Sequence, residues 1–350
     1  RTAQEVFDQI PVRDVVSWNS LIIGYARDED GEKALDCLEL MQIDGVSPDA
    51  ITYVSSLKAC GSIGDVEKGR ELEAAIGSNG LLVSNLIIGN ALIDMYARCG
   101  MLEKAREVFE NLKVRDIISW NTIITGYTKH EKAEMAFKCF EEMKLEGFCP
   151  NSVTYVCILK LCGLVRDINK GIEVHNNIVS KWLVERNLII GNALIDMYAK
   201  CGSLAKANEV FNILRVRDIS SWNALISGYA ECGRGDEALH FFERMQFEGI
   251  SPDAITYVCS LKSCGIVGDM DKAIEIHAEI ERRGFLERDI VIGSSLVEMY
   301  SKCGMQAIAS KVFEKLPIRD VVSWNSLIAG YAQAGKIESI FSIFDRMSGE

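Results

Sequence analysis

The sequence predicts an all-α fold, a solenoid of stacked helix pairs, and three observations indicate it. First, the stretch at residues 15–25 returns at Ile117, Ile219 and Val321, each start lying 102 residues after the previous one. Second, the apolar residues between these starts follow helical spacing. Third, the helices so defined are too short to be stable alone and must stack on their neighbours. Such strict self-similarity is the signature of a repeat protein.

Each 102-residue block contains three related repeats, which we call type 1 (35 residues), type 2 (36 residues) and type 3 (31 residues). The complete repeats, in the order 1, 2, 3, are 15–49, 50–85, 86–116, 117–151, 152–187, 188–218, 219–253, 254–289 and 290–320. Residues 1–14 align with the end of a type 3 repeat, and residues 321–350 form a partial type 1 repeat. We expect all of them to belong to one continuous solenoid.

Two helices are predicted in each repeat. In residues 15–49 one apolar stripe lies at 18–25 and a second at 34–41, both with i, i+3, i+4, i+7 spacing. The link between them is polar, and Gly45 followed by Pro48 predicts the end of the second helix. In type 3 repeats the pair Cys99-Gly100 and its equivalents predict the end of the first helix. The recurring tryptophans Trp18, Trp120, Trp222 and Trp324 are interpreted as packing between adjacent helix pairs and not as a cofactor site.

Composition restricts the function. The net charge of −12 and the pI near 5.0 argue against a surface that binds nucleic acid by bulk electrostatics, although exposed bases can still be recognised by their edges. No apolar run approaches the roughly 18 residues of a membrane span. The first residues are typical of the middle of a helix and not of a targeting peptide, so a cleaved leader would not be visible here.

Cysteine and histidine offer no catalytic or metal site. Most of the twelve cysteines follow the repeat register and none forms a Cys-x-x-Cys pair, which favours small buried side chains in a reducing compartment over disulfides or metal ligands. His277-Ala278-Glu279 matches half of a zinc deaminase motif, but the cysteine half is missing and the equivalent positions in other blocks differ. No nucleophile motif and no phosphate-binding glycine loop accompanies them. We therefore expect no enzyme activity and no cofactor.

The chain resembles the PLS class of pentatricopeptide repeat (PPR) proteins over its whole length. The resemblance is carried by the 35/36/31 alternation, by Gly-Asn-Ala-Leu-Ile-Asp-Met-Tyr-Ala-Lys-Cys-Gly at 191–202, and by Val-Arg-Asp at 114–116 and 216–218. It implies a right-handed superhelix in which types 1, 2 and 3 are P, L and S repeats. It also implies a plant mitochondrial or chloroplast protein that binds single-stranded RNA as the recognition segment of a C-to-U editing factor. Implied partners are multiple organellar RNA editing factors and a DYW-type deaminase, which would supply the catalysis.

In that family the fifth and last residues of each repeat contact one base edge. Carried onto this sequence, the pairs and the favoured bases are Asn19 with Asp49 (U), Val54 with Asn85 (weak), Asn90 with Asp116 (U), Asn121 with Asn151 (pyrimidine, C), Val156 with Asn187 (weak), Asn192 with Asp218 (U), Asn223 with Asp253 (U), Val258 with Asp289 (weak) and Ser294 with Asp320 (purine, G). Asn325 begins a repeat whose closing residue is absent. The implied target is 5′-U-n-U-C/U-n-U-U-n-G followed by a pyrimidine.

The second residue of each repeat packs between neighbouring bases in the family, and we call these positions the wedge residues. They are Val16, Ile51, Ile87, Ile118, Val153, Ile189, Ser220, Ile255, Val291 and Val322. All except Ser220 are apolar, so we expect a looser base sandwich there. Aliphatic wedges should contribute less than the roughly 1–3 kcal/mol per base of an aromatic platform.

A basic residue recurs at the C-terminal end of several first helices, at Arg27, Arg98, Lys129, Lys200 and Lys302. There it complements the helix dipole and could also contact phosphate, and the sequence leaves both interpretations open. Ser62, Leu164 and Glu231 interrupt the series in other repeats.

The competing functional class is a peptide-binding scaffold of the tetratricopeptide type, which shares the helix pairs and a similar period. The 35/36/31 alternation and the recurring Asn with a terminal Asp favour RNA instead. The RNA interpretation requires the amides of Asn19, Asn90 and Asn192 to be accessible on one face. Burial of these amides between helices would contradict it.

Overall fold

The computed structural model describes residues 3–28, 30–81, 85–179 and 187–349, and within these ranges every regular element is an α-helix. The partial repeat at 1–14 and the ends of the type 2 repeats at 82–84 and 180–186 therefore lie partly outside the described residues. The helices of the first 161 residues are α1 (Ala3–Asp8), α2 (Val15–Arg27), α3 (Gly31–Ile43), α4 (Ala50–Ile63), α5 (Val66–Ser78), α6 (Leu86–Arg98), α7 (Leu102–Asn111), α8 (Ile117–Lys129), α9 (Ala133–Leu145) and α10 (Ser152–Leu164), which extends slightly further.

The remaining helices are α11 (Ile168–Val179), α12 (Leu188–Lys200), α13 (Leu204–Ile213), α14 (Ile219–Glu231), α15 (Gly235–Phe247), α16 (Ala254–Val267), α17 (Met270–Arg282), α18 (Ile290–Lys302), α19 (Gln306–Lys315), α20 (Val321–Gln333) and α21 (Ile337–Gly349). The chain divides into two compact units, residues 1–161 and 162–350. In the first unit, α2, α4, α6 and α8 contact one another in order, with the second helices packed beside them. In the second unit, α12, α14, α16, α18 and α20 do the same. The predicted all-α class is confirmed.

First helices begin where the repeat-closing Asp or Asn acts as N-cap. The Asp49 carboxylate accepts the backbone N–H of Thr52 at 2.9 Å, and the Thr52 hydroxyl in turn accepts the backbone N–H of Asp49 at 3.1 Å. Asp116, Asp218 and Asp253 form the same capping box with the residue three positions on. Asp and Asn are among the best N-cap residues because their oxygen satisfies a backbone donor that has no partner inside the helix. Ten first helices accordingly start at residues 15, 50, 86, 117, 152, 188, 219, 254, 290 and 321.

Glycine ends the helices where the sequence predicts. Gly45, Gly147 and Gly249 follow the second helices of type 1 repeats with φ of +74°, +85° and +80°. Gly100 adopts the same left-handed conformation after α6, as do its equivalents in the other type 3 repeats. A side chain would be strained at such φ values, so glycine is the residue that allows the turn.

Each recurring tryptophan packs against the preceding repeat. The Trp120 ring lies edge-on to Phe109 with centroids 4.7 Å apart, and 1% of the tryptophan is exposed. Trp18, Trp222 and Trp324 repeat the contact with Phe7, Phe211 and Phe313 at 4.6–4.7 Å. The guanidinium of Arg115 covers the other side of Phe109 at 4.9 Å and its Nε donates to the Phe109 carbonyl. This confirms that the tryptophans are packing residues between adjacent helix pairs.

The cysteines are all free thiols. Cys60, Cys162 and Cys264 are buried, as predicted, and burial raises the pKa of each thiol to about 12. Cys149 and Cys232 are exposed, so the expectation of burial is wrong for these two, which lie at or beyond helix ends and not on an apolar stripe. No group of side chains in the described ranges could hold a metal ion, and none of the helices described here is long and apolar enough to cross a membrane.

Candidate nucleic-acid interface

In type 1 repeats the fifth residue is held by the first helix of the next repeat. The Asn19 side chain lies on α2, and its Nδ2 donates to Asp49 Oδ1 at 3.0 Å. The Thr52 hydroxyl on α4 donates to Asn19 Oδ1 at 2.6 Å. The same carboxylate therefore caps α4 and fixes the amide of the preceding repeat. These two hydrogen bonds leave one N–H and one lone pair of the Asn19 amide unused.

The same arrangement recurs in the other complete type 1 repeats. Asn223 Nδ2 donates to both oxygens of Asp253 at 3.0 and 3.1 Å, and Thr256 donates to Asn223 Oδ1 at 2.6 Å. Asn121 Nδ2 donates to Asn151 Oδ1 at 3.1 Å. Because Asn151 Oδ1 also accepts backbone N–H groups of α10, the cap fixes its orientation, and the Asn151 amide offers NH₂ where an aspartate offers a second oxygen.

Type 3 repeats use the same contact with more variation. Asn192 donates to Asp218 Oδ1 at 3.1 Å, and the Ser221 hydroxyl donates to Asn192 Oδ1 at 2.7 Å. Asn90 donates to Asp116 at 3.4 Å, and its buried Oδ1 has no hydrogen-bond partner among the described residues.

Ser294 is 3% exposed, and its hydroxyl lies 2.8 Å from Asp320 Oδ1 and 2.9 Å from the Ile290 carbonyl. Its small, buried hydroxyl leaves less polar surface for a base than an asparagine amide does.

Type 2 repeats lack this polar pair. The half-buried side chains of Val54, Val156 and Val258 occupy the fifth position. The closing residues Asn85 and Asp289 instead accept backbone N–H groups of α6 and α18, and Asn187 accepts the N–H of Ile190 on α12. A valine cannot hydrogen-bond a base edge, so the weak base preference of these repeats stays a prediction.

Hydrogen bonds lower the pKa values of four closing aspartates. Burial acts to raise the pKa of Asp49, but the backbone N–H of Thr52 and the amide of Asn19 outweigh it, so the pKa lies below the ordinary 3.8. The pKa values of Asp116, Asp218 and Asp320 are lowered against burial in the same way. These groups are therefore hydrogen-bond acceptors throughout the physiological pH range.

The wedge residues are exposed on every first helix. Their exposed fractions lie between 51% for Val153 and 67% for Ile87 and Ile189, and Ser220 is exposed as well. Each wedge residue lies three positions before the fifth residue, on the same side of the helix. An exposed apolar side chain therefore accompanies the amide of every type 1 and type 3 repeat that has one, except at Asn223, where the wedge residue is Ser220.

The amides themselves are less accessible than expected. Asn90, Asn121 and Asn192 are half-buried, but Asn19 and Asn223 are buried, with 6% and 8% of their surface exposed. The expectation of accessibility is therefore wrong for these two, because α4 and α16 pack over them. Asn325, which no first helix of a next repeat follows in this sequence, is exposed.

The basic residues at the first-helix ends fall into two groups. In type 3 repeats Arg98, Lys200 and Lys302 pair with the acid four positions earlier, Asp94, Asp196 and Glu298, at 2.6–2.8 Å. Arg27 and Lys129 of type 1 repeats are exposed and form no ion pair with a described residue. All five lie in the last helical turn, so the dipole interpretation applies to each.

The hydroxyls at the third position were missed at the level of sequence. Thr52, Thr154, Ser221 and Thr256 hold the amide oxygen of the previous repeat while completing their own capping box. The available signal was the Ser or Thr that follows three residues after each closing residue of types 1 and 3, and it was not interpreted at the level of sequence.

Sequence models of the PPR repeat family match residues 13–62, 115–163 and 217–266, and models of the PPR repeat match 90–117, 192–219, 255–285 and 322–350. The chain belongs to the pentatricopeptide repeat family. A chloroplastic pentatricopeptide repeat-containing protein of Arabidopsis thaliana is 34% identical over 99% of this chain and 42% of that protein. A mitochondrial one from the same plant is 35% identical over 99% of this chain and 33% of that protein. This PPR chain thus spans less than half the length of these relatives.

Solved structures show the same fold. PPR10 in complex with an 18-nucleotide psaJ RNA element superposes with a TM-score of 0.79 at 19% identity, covering 99% of this chain and 52% of that one. A crystal structure of PPR10 from maize gives a TM-score of 0.68 at 23% identity, covering 99% of this chain and 55% of that one. At these identities the comparison establishes the PPR solenoid fold of the chain.

Proposed function

We propose that this PPR chain binds single-stranded RNA with sequence specificity, about one nucleotide per repeat, as the recognition segment of an organellar C-to-U editing factor. The observation that carries the proposal is the recurring pair of an exposed apolar wedge residue and a half-buried amide held at fixed orientation by the next repeat, as at Ile118 with Asn121 and Ile189 with Asn192. Polar groups fixed at one coordinate of successive repeats suit successive unpaired bases. Binding of a peptide does not require a polar group at the same position of successive repeats.

The geometry supports contact with the edge of a base. A base that lies between the wedge residues of two successive repeats, such as Ile118 and Val153, presents its edge towards the half-buried amide of Asn121. The Asn121 orientation is fixed by Asn151 and Thr154, so its unused N–H and lone pair point in defined directions. Little reorganisation is needed, which favours discrimination between bases.

The closing residue supports a distinction between U and C. Asp49 offers a second carboxylate oxygen, which accepts the N3–H of uracil. Asn151 offers NH₂ at the same place, which suits the N3 acceptor of cytosine. The proposed target, 5′-U-n-U-C/U-n-U-U-n-G followed by a pyrimidine, follows from this rule and the family pattern.

Relatives and neighbours support the biological setting. The relatives' names include chloroplastic and mitochondrial proteins, and PPR10 has been solved with RNA. We propose a plant organelle as the location of the protein. We also propose that a DYW-type deaminase outside this chain supplies the catalysis and that multiple organellar RNA editing factors are protein partners. The P, L and S assignment of types 1, 2 and 3 is part of this proposal.

Binding to synthetic RNA tests the proposal. The chain is titrated against a labelled ten-nucleotide RNA of the proposed sequence, a version with purines at each proposed pyrimidine, and a peptide panel. We expect the proposed RNA to bind at least tenfold more tightly than the swapped one, since each wrong base costs about 1–3 kcal/mol. Equal affinity for both RNAs, or binding only to peptides, would contradict it. Sequencing RNA that co-purifies from organelles tests the editing role.

A further inference from the structure

Three lysines recur on the first helices of type 2 repeats at an interval of 102 residues: Lys58, Lys160 and Lys262. They were not singled out by the sequence analysis and lie outside the base-contacting and wedge positions. Lys58 follows the wedge residue Ile51 by seven residues, which rotates it by only about 20° around an ideal helix and places it about 10 Å further along. Each lysine therefore shares the face of its helix with the wedge residue of the same repeat.

These lysines are exposed and have no acidic partner. None forms an ion pair with a described residue, although the chain carries a net charge of −12. The type 3 repeats provide a contrast, because Arg98, Lys200 and Lys302 are each neutralised by an acid on their own helix. In an acidic protein, three exposed ammonium groups without an acidic partner, at equivalent positions beside the wedge residues, are positive charge available to an anionic ligand.

The same repeats have no polar side chain for a base. Val54, Val156 and Val258 stand where types 1 and 3 have an asparagine or, at Ser294, a serine. The phosphate of a nucleotide is sequence-independent and attracts a flexible ammonium group. A type 2 repeat can therefore retain the strand without selecting the base.

We propose that Lys58, Lys160 and Lys262 form a phosphate-binding series through which type 2 repeats hold the RNA backbone while types 1 and 3 select bases. The inference rests on the proposed RNA-binding function. It assigns to the type 2 repeats a contribution to affinity that is independent of sequence. It also explains how a chain with pI near 5.0 retains a polyanion.

Salt dependence tests the series. Single-stranded binding weakens with salt by about 0.7 in the logarithmic slope for each phosphate neutralised, so K58Q/K160Q/K262Q should reduce the slope by about 2. Its preference among bases should be unchanged. The matched control K113Q/K132Q/K311Q removes three exposed lysines outside the first helices and changes the net charge equally. The control should keep the native slope and base preference.

A neutral linkage identifies the contact itself. A methylphosphonate placed at the nucleotide of one type 2 repeat should weaken binding to the native protein, by about fivefold or more, and have little effect on the lysine variant. Native slopes in K58Q/K160Q/K262Q, or equal loss in both triple variants, would overturn the series while leaving sequence-specific binding intact. Absence of RNA binding by the native chain would overturn the proposed function and this inference together.

Discussion

Exchanging Asp49 for Asn should change the base preferred by the first complete repeat from U to C. In the native chain Asp49 Oδ1 receives Asn19 Nδ2 at 3.0 Å and the Thr52 N–H at 2.9 Å, which leaves Oδ2 for a ligand. In D49N the remaining oxygen keeps these bonds and NH₂ replaces Oδ2. The second type 1 repeat already contains this arrangement at Asn151.

The expected magnitude follows from two opposing estimates. Asn and Asp are equivalent N-caps, so α4 should lose only the charge–dipole interaction, about 0.3–1 kcal/mol. Replacing an acceptor with a donor against one base edge is worth about 1–3 kcal/mol of discrimination, or roughly 5- to 150-fold. The change in base preference should therefore exceed the change in stability.

Fluorescence anisotropy with four RNAs that differ only at the nucleotide of this repeat measures the effect. The reciprocal variant N151D should convert the second type 1 repeat from C to U. Asp65→Asn is the matched control, since Asp65 caps α5, a second helix, by accepting the Lys68 N–H. If D49N and N151D rank the four RNAs as the native chain does, the proposed role of the closing residue is refuted.

Three further outcomes are expected. Thr154→Val should leave Asn121 Oδ1 without its 2.6 Å donor, which should lower the free energy of unfolding in denaturant by about 1–3 kcal/mol and weaken base discrimination at that nucleotide. Thr154→Ser keeps the hydroxyl and should preserve both the stability and the discrimination. If the two variants behave alike, the positioning role of Thr154 is contradicted. Gly126→Ala should lower the melting temperature, because the new Cβ would lie 2.7 Å from Cβ of Ala97. The control Gly24→Ala has no atom within 4 Å of the new Cβ and should gain up to about 1 kcal/mol of stability from helix propensity. A stabilised Gly126→Ala variant would refute the close contact. The closing aspartates with lowered pKa should stabilise the fold above their unfolded pKa near 3.8 and lose that contribution as the pH falls through their lower folded values, so thermal unfolding should show no loss from these groups between pH 8 and 5 and a decline below about 3.8.

Helix starts and ends were predictable because local chemistry decides them. The closing Asp or Asn lies directly before each first helix, and Gly45 and Gly100 terminate helices as their neighbours in sequence indicate. The packing role of Trp120 followed from its recurrence within an apolar stripe. These features depend on residues within a few positions of one another, so a periodic sequence reveals them.

Contacts between repeats were not predictable in the same way. The burial of Asn19 results from α4 packing over it, and the bond from Thr52 joins residues 33 positions apart. The exposure of Cys149 and Cys232 likewise depends on what lies beyond the helix ends. The ion pair of Asp94 with Arg98 lies within one helix, and its i, i+4 spacing was visible in the sequence. That spacing would have separated the basic residues at the helix ends into those with an acidic partner and those without one.

The double duty of the closing residue limits how such a protein can be reprogrammed. Every complete repeat here ends in Asp or Asn, and that side chain accepts a backbone N–H of the helix that follows. In the proposed function the same side chain also meets a base. Substitutions by residues that do not cap, such as Lys or Gln, would remove a cap worth about 0.5–2 kcal/mol from the next first helix. Engineers who seek new specificities should therefore vary the fifth residue freely and choose the closing one from the few side chains that nucleate helices.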